Sequence, residues 1–181
     1  MNSSYKNTID FGDIISTITF MKNPQKIVEC GILEGYSLLK FIENSSINTS
    51  IDAYDIFDDF NGNHAIKDKI THLFSPYKNV NINYGDFYKV LNKYPDNSID
   101  ILHIDIANNG DVYEYAFNNY ISKIKRSGIM LLEGGSKERD NVEWMIKYNK
   151  PKIEPVIQKY KQKYDIKVVG GFPSITIVNI N

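Results

Sequence analysis

Residues 26–41, KIVECGILEGYSLLKF, constrain the fold more than any other stretch: an apolar strand, Ile27–Cys30, runs into a turn with two glycines and then a helix. Gly31 and Gly35 permit a sharp turn and a close approach of backbone to ligand, because neither carries a side chain. In an open α/β sheet, ligands bind in the crevice beyond the carboxyl ends of the strands. The turn reads E-x-G-x-x-x-G from Glu29 to Gly35, and it lacks the tighter G-x-G-x-x-G that sets a helix amino terminus against a pyrophosphate. An acid at the strand's end, Glu29, suits a ligand with an ammonium group and no phosphate. Taken alone, the stretch is equally compatible with an ordinary tight turn.

The remaining chain repeats the strand-helix alternation. Phe11, Ile14, Ile15 and Ile18 have the i, i+3, i+4, i+7 spacing of a helix over residues 10–22, ended before Pro24. After the turn, Leu38, Leu39 and Ile42 mark the core side of a helix, and residues 50–55 read as a second strand, parallel to the first. Asp55 closes that strand twenty positions beyond Gly35 (55 minus 35), where an acid can accept hydrogen bonds from both ribose hydroxyls of an adenosine. Asp52, Asp58 and Asp59 are nearby alternatives, and a solvated acidic loop is the competing reading. Ile66, Ile70, Leu73 and Phe74 predict a crossover helix within residues 61–74; His64 and His72 beside it read as surface or packing residues. A third strand over residues 80–84 leads to Asp86, placed either to accept from an adenine amino group or to cap the next short helix.

The fourth strand, IDILHID, ends at Asp105, the best single candidate for chemistry, with His103 two residues deeper as a hydrogen-bonded core histidine. Asn108 and Asn109 follow in a turn sequence. Val112, Ala116, Tyr120 and Ile124 predict one helix closed by the basic KIKRSG, with Gly128 past its end. The fifth strand, residues 129–133, ends at Glu133, which faces the same crevice as Asp105 if the strands are neighbours. The polar connection GGSKERDNVEWMIKYNKP reads as a lid or acceptor-binding element with a short helix over residues 141–147 that carries the only tryptophan, Trp144. A last helix, bracketed at its start by Pro151 and Pro155, runs to about residue 163. Two terminal strands joined by residues 170–173 form an antiparallel hairpin, unusual for dinucleotide dehydrogenases and flavodoxin-like domains.

Composition narrows the function classes. The chain has 181 residues with a formal net charge of -1 and scattered basic residues, so it fits one domain and has no basic stripe for nucleic acid. Cys30, the only cysteine, has no intramolecular partner and reads as a buried thiol in a reducing cytoplasm. No stretch has membrane-spanning length, so no membrane partner is expected.

Taken together, VECGILEGYS, DAYDIF, NINYGDFYKVL, IDILHID and KRSGIMLLEGG resemble the class I S-adenosylmethionine-dependent methyltransferases, in their small-molecule O-methyltransferase branch, from Lys26 to Ile180. The resemblance implies an α/β, Rossmann-like three-layer sandwich whose seven-stranded, mostly parallel sheet ends in an antiparallel C-terminal hairpin. It implies one such domain over residues 1–181, with S-adenosylmethionine held by Glu29, Gly31, Gly35, Ser37, Asp55 and Asp86. Asp105 and Glu133 are the candidate catalytic residues, acting on a hydroxyl of a small molecule such as a sugar or glycan precursor. Relatives that use a divalent metal place an acid after the fourth strand and Asp-Asn after the fifth; here LLEGG replaces that pair, leaving metal use open. The alternatives are a catalytically silent cofactor-binding subunit of a complex and a dehydrogenase-type enzyme. A homodimer completing the site is compatible with so short a chain.

Overall fold

The computed structural model describes residues 10–57 and 63–181. Seven strands form one sheet: β1 (Lys26–Cys30), β2 (Ser50–Asp55), β3 (Val80–Tyr84), β4 (Ile99–Ile104), β5 (Ile124–Glu133), β6 (Asp165–Gly170) and β7 (Ser174–Asn179). Their order is β3-β2-β1-β4-β5-β7-β6. The first five are mutually parallel, and β7 pairs antiparallel with both β5 and β6. The order reverses at β1, so the crevice between β1 and β4 is the topological switch point where such sheets bind ligands.

Alternation along the strands builds a core on each face of the sheet. Ile27, Ile51, Ile101 and Leu131 point to one side, against α1 (Phe11–Lys22), α2 (Tyr36–Glu43) and α3 (Lys67–Phe74) through Ile15, Leu38, Phe41 and Phe74. Val28, Leu102, Ile104 and Leu132 point to the other, against α4 (Phe87–Val90), α5 (Gly110–Tyr115) and α7 (Glu154–Tyr160), with α6 (Glu143–Lys147) near the strand tips. Central strands that are apolar on both faces are what a covered parallel sheet requires. The three-layer α/β architecture expected from the sequence is therefore present.

Helix α1 starts where the Asp10 carboxylate accepts the Gly12 amide at 2.8 Å. The same carboxylate accepts the Tyr36 hydroxyl at 2.9 Å, tying the start of α1 to the start of α2.

Two expectations require correction. The crossover helix begins at Lys67; Asn61, Asp58 and Asp59 lie outside the described residues. The single helix expected from Val112 to Ile124 is α5 followed by a π-helical turn, Ala116–Tyr120, and a 3-10 turn, Ile121–Lys123. Strand β5 then starts at Ile124, so Lys125, Arg126 and Gly128 belong to the sheet rather than to a helix end. Ionic and packing contacts outweighed helix-end chemistry here: Lys125 reaches Asp100 at 2.9 Å, and Ile124 is buried at the start of a ten-residue strand.

Leu102 is fully buried in the middle of β4, whereas Phe20 on α1 is 75% exposed. Urea unfolding is expected to show Leu102→Ala losing about 3 kcal/mol and Phe20→Ala less than about 0.5 kcal/mol.

Candidate active site

Backbone hydrogen bonds join the strand tips into one rim. The Asp105 amide donates to the Cys30 carbonyl at 2.8 Å, the Gly31 amide to Tyr54 at 2.8 Å, and the Gly85 amide to Asp55 at 3.0 Å. Gly31 has φ +95°, and a Cβ there would stand 1.9 Å from the Asp105 carbonyl oxygen. Only glycine allows β1 and β4 to close in this way.

Beyond the rim lies a cavity of about 500 Å³ whose wall includes Gly31, Tyr54, Asp55, Asp86, Tyr88 and Asp105. A second cavity of about 280 Å³ shares Ile32, Leu33 and Asp105 with it, and continues past Ser37, His103 and Glu133 to α1 and the β6–β7 turn. Among the described residues, no lysine or arginine lines either hollow. A pyrophosphate would meet carboxylates there, while a sulfonium or an ammonium group would be favoured.

Three of the six residues assigned to the cofactor, Gly31, Asp55 and Asp86, wall the larger cavity. Asp86 caps α4, accepting the Tyr88 amide at 3.0 Å, and also lines the cavity. Asp55 faces the cavity with its oxygens already engaged: Oδ2 accepts the amides of Ile32 (2.8 Å) and Leu33 (3.3 Å), and Oδ1 accepts Phe57 N (2.8 Å) and Asn63 Nδ2 (2.7 Å). It clasps the glycine turn from below. Ser37 lines the second cavity, and Gly35, with φ +83°, starts α2 outside both walls.

Glu29 lies beneath the floor. It is fully buried, paired in register with His103 across the β1–β4 ladder, and hydrogen-bonded through Oε1 to Ser37 Oγ (2.5 Å) and His103 Nδ1 (2.9 Å). A carboxylate so placed requires such partners, because an unpaired buried charge is very costly. Burial disfavours the His103 imidazolium, yet the hydrogen bond and charge of Glu29 outweigh it and hold His103 above its ordinary value. The expected hydrogen-bonded core histidine is thus present, with a ring that also reaches the second cavity.

Asp105 differs from the other acids. Asp105 is exposed, its surface opening onto both cavities, yet the cavity walls around it desolvate its carboxyl and push it up to about 6. The nearby His103 pulls against this rise, and the charges of Glu133 and Glu29 add to it. No hydrogen bond from a described side chain or amide claims its carboxylate.

Glu133 also reaches the second cavity, but both of its oxygens are held by Arg139, Nε at 2.6 Å and an Nη at 2.8 Å. Arg139 is itself buried, with its guanidinium 5.3 Å from the Trp144 ring centroid and an Nη directed at the Asn108 carbonyl at 3.4 Å. The sequence reading missed this arginine. Its only linear signal is a lone guanidinium six positions past Glu133, across the glycine pair of a polar connection. Asn109 spends its side-chain oxygen on capping α5, while Asn108 donates to the carbonyls of Ile104 and Glu133.

A divalent cation does not fit these residues. Among the described residues no three His, Cys, Asp or Glu side chains converge, and the one acid near Asp105 that could share a metal is neutralised by Arg139. His64 and His72 are exposed and line neither cavity.

Comparison with known proteins agrees with the geometry. The profile of a methyltransferase-domain family matches residues 28–133, which run from β1 to the tip of β5. No curated protein matches the sequence. Among solved structures, an O-methyltransferase from Bacillus cereus, in complex with S-adenosylhomocysteine, superposes with a TM-score of 0.69 at 13% identity, covering 99% of this chain and 84% of that one. The O-methyltransferase TomG of Streptomyces achromogenes, involved in tomaymycin synthesis and crystallised with S-adenosylmethionine, gives 0.68 at 13% identity over 96% and 82%. A methyltransferase of Podospora anserina bound to S-adenosylhomocysteine gives 0.67 at 14% identity over 100% and 80%. These likenesses establish the fold, and the profile match over more than half of the chain establishes the family. With its sheet order, its glycine turn and its acid-walled crevice, the chain belongs to the methyltransferase-domain family and has the class I S-adenosylmethionine-dependent methyltransferase fold.

Proposed function

We propose that this protein is an S-adenosylmethionine-dependent O-methyltransferase, formed by one domain over the whole chain and acting on a hydroxyl of a small molecule, a sugar or glycan precursor being the acceptor class first expected. The observation that carries this reading is the pair of joined cavities at the switch point, lined by carboxylates and free of lysine and arginine among the described residues. An adenosyl group suits the larger hollow, between the apolar side chains of Tyr54, Ile56 and Tyr88 and near Asp55 and Asp86. The methionyl end suits the smaller one, beside Ser37 and above the Glu29–His103 pair.

When bound, S-adenosylmethionine supplies an electrophilic methyl carbon on a sulfonium, and transfer then needs an aligned nucleophile and the removal of one proton. Asp105 stands where the two cavities meet, with no described hydrogen bond claiming its carboxylate, in position to take a hydroxyl proton. A carboxylate held at about 6 is half ionised just below neutrality, which strengthens it as a base while leaving it largely ionised at pH 7. Glu133, neutralised by Arg139, contributes shape and a fixed dipole rather than proton transfer.

The direct test titrates the protein in parallel with S-adenosylhomocysteine and with NAD by calorimetry. Heat of binding is expected with the first and none with the second; the reverse would assign the crevice to a dinucleotide. Cofactor binding without turnover across a broad panel of hydroxylated compounds would instead favour the silent-subunit reading. Where turnover is found, kcat/KM should rise with pH through about 6 and level off above it. Asp105→Asn should lower kcat on the order of a hundredfold or more while leaving S-adenosylhomocysteine binding nearly intact.

The same carboxyl makes a stability prediction. Its folded-state value lies above the ordinary aspartate value of about 3.9, so the native state binds the proton more tightly than the unfolded chain. Stability from this group is present at low pH and lost as pH rises through about 6. Asp105→Asn should therefore melt higher than the parent protein at pH 8, and the gap should close below about pH 4.

A further inference from the structure

Arg139 links the segments that follow the two strand tips. Its guanidinium holds both oxygens of Glu133 at the end of β5, and an Nη points at the carbonyl of Asn108, three residues past Asp105. Protein contacts enclose it. Arg139 is 5% exposed, its amide donates to Ser136 Oγ at 3.0 Å, a second Nη lies 3.2 Å from Met145 Sδ, and Trp144 covers one face. Asp140 next to it anchors the start of α7 by accepting the amides of Ile153 (2.7 Å) and Glu154 (2.8 Å). Through these contacts the segment brings one positive charge, that of Arg139, to the edge of the crevice.

We propose that Arg139 takes, as a built-in cation, the place that a divalent metal would need at the tips of β4 and β5, so that this chain's site neither binds nor requires such a metal. A divalent ion on Glu133 would have to displace a bidentate, buried guanidinium, the strongest pairing a carboxylate makes with a side chain. It would also sit against a charge of its own sign. Glycines at 134 and 135 supply no replacement ligand: both have positive φ, and a Cβ on Gly135 would meet Thr176 Oγ1 at 2.1 Å. Arg139 is a positioning residue here, acting on the crevice through Glu133. Its charge also reaches Asp105, opposing the upward pull of burial on that carboxyl.

The inference deepens the methyltransferase reading, and its test separates the two. Manganese binding is measured by loss of the free-ion electron paramagnetic resonance signal, on the whole protein with and without S-adenosylhomocysteine, alongside calorimetric binding of the nucleoside. Failure of the nucleoside to bind would sink the methyltransferase reading and leave the manganese result to stand by itself. The parent protein should bind manganese no more tightly than millimolar. Arg139→Met frees Glu133 beside Asp105 and removes a neighbouring positive charge, so it should bind manganese at least roughly tenfold more tightly. Adding Glu133→Gln to that variant should abolish the gain. Micromolar manganese binding by the parent protein, lost in Glu133→Gln, would overturn the proposal, as would an Arg139→Met variant that folds and gains nothing. Should Arg139→Met fail to fold, Arg139→Gln serves the same comparison, and the measurement on the parent protein decides the first claim without either.

Discussion

The architecture of the crevice depends on a contact that no side chain could share: the backbone of Gly31 lying against the Asp105 carbonyl. A methyl group at Gly31 would be 1.9 Å from that oxygen. Because it is absent, the tips of β1 and β4 close to hydrogen-bonding distance, and the Asp105 amide reaches the Cys30 carbonyl at 2.8 Å. Asp55 reinforces the closure from the neighbouring strand by gathering the amides of Ile32 and Leu33. Both cavities open from this stitched rim, and Asp105 belongs to the walls of both.

Charge is distributed over this rim by pairing. Glu29 is buried and held through Oε1 alone by Ser37 and His103, its Oε2 having no partner among the described residues; Glu133 is held by Arg139; Asp55 is saturated by four protein donors. Each of these carboxylates is occupied in keeping the loops in place. Asp105 is the exception, with burial and nearby negative charge raising its carboxyl toward neutrality. Perturbed carboxyls of this kind, set in a cleft, mark places where proton transfer is feasible. The methyltransferase reading rests on that contrast and on walls that, among the described residues, offer a phosphate no lysine or arginine.

Much of the site was legible one strand at a time. Acids at the ends of β1, β2, β4 and β5 could be named because the apolar runs before them fix where each strand stops, and the topology brings those ends to one edge. The function of each acid was less legible. Glu29 and Asp105 both follow apolar residues in strands that pair directly, yet one lies under the floor and the other at the mouth. The difference comes from the pleat and from how far each residue stands beyond its strand, which sets depth relative to a neighbour that is distant in sequence. Arg139 could not be read at all, since its meaning depends on a turn through Gly134 and Gly135 that carries it back to Glu133. The segment Ile124–Gly128 misled for the opposite reason: its lysine, arginine and glycine have the composition of a helix end, and pairing with β4 put them into a strand.

The sequence by itself determined the layered α/β class, the strand-helix alternation, the glycine turn and the antiparallel closing hairpin, because these follow from local periodicity and from backbone conformations that few residues can adopt. Only the tertiary structure decided that Glu29, Asp55 and Glu133 are bound to protein partners while Asp105 is left unclaimed. That outcome turns on distances of a few ångströms between residues tens of positions apart, such as Glu29 with His103 and Asp55 with Ile32. A buried charge takes its role from the partner that neutralises it, and that partner is chosen by the fold.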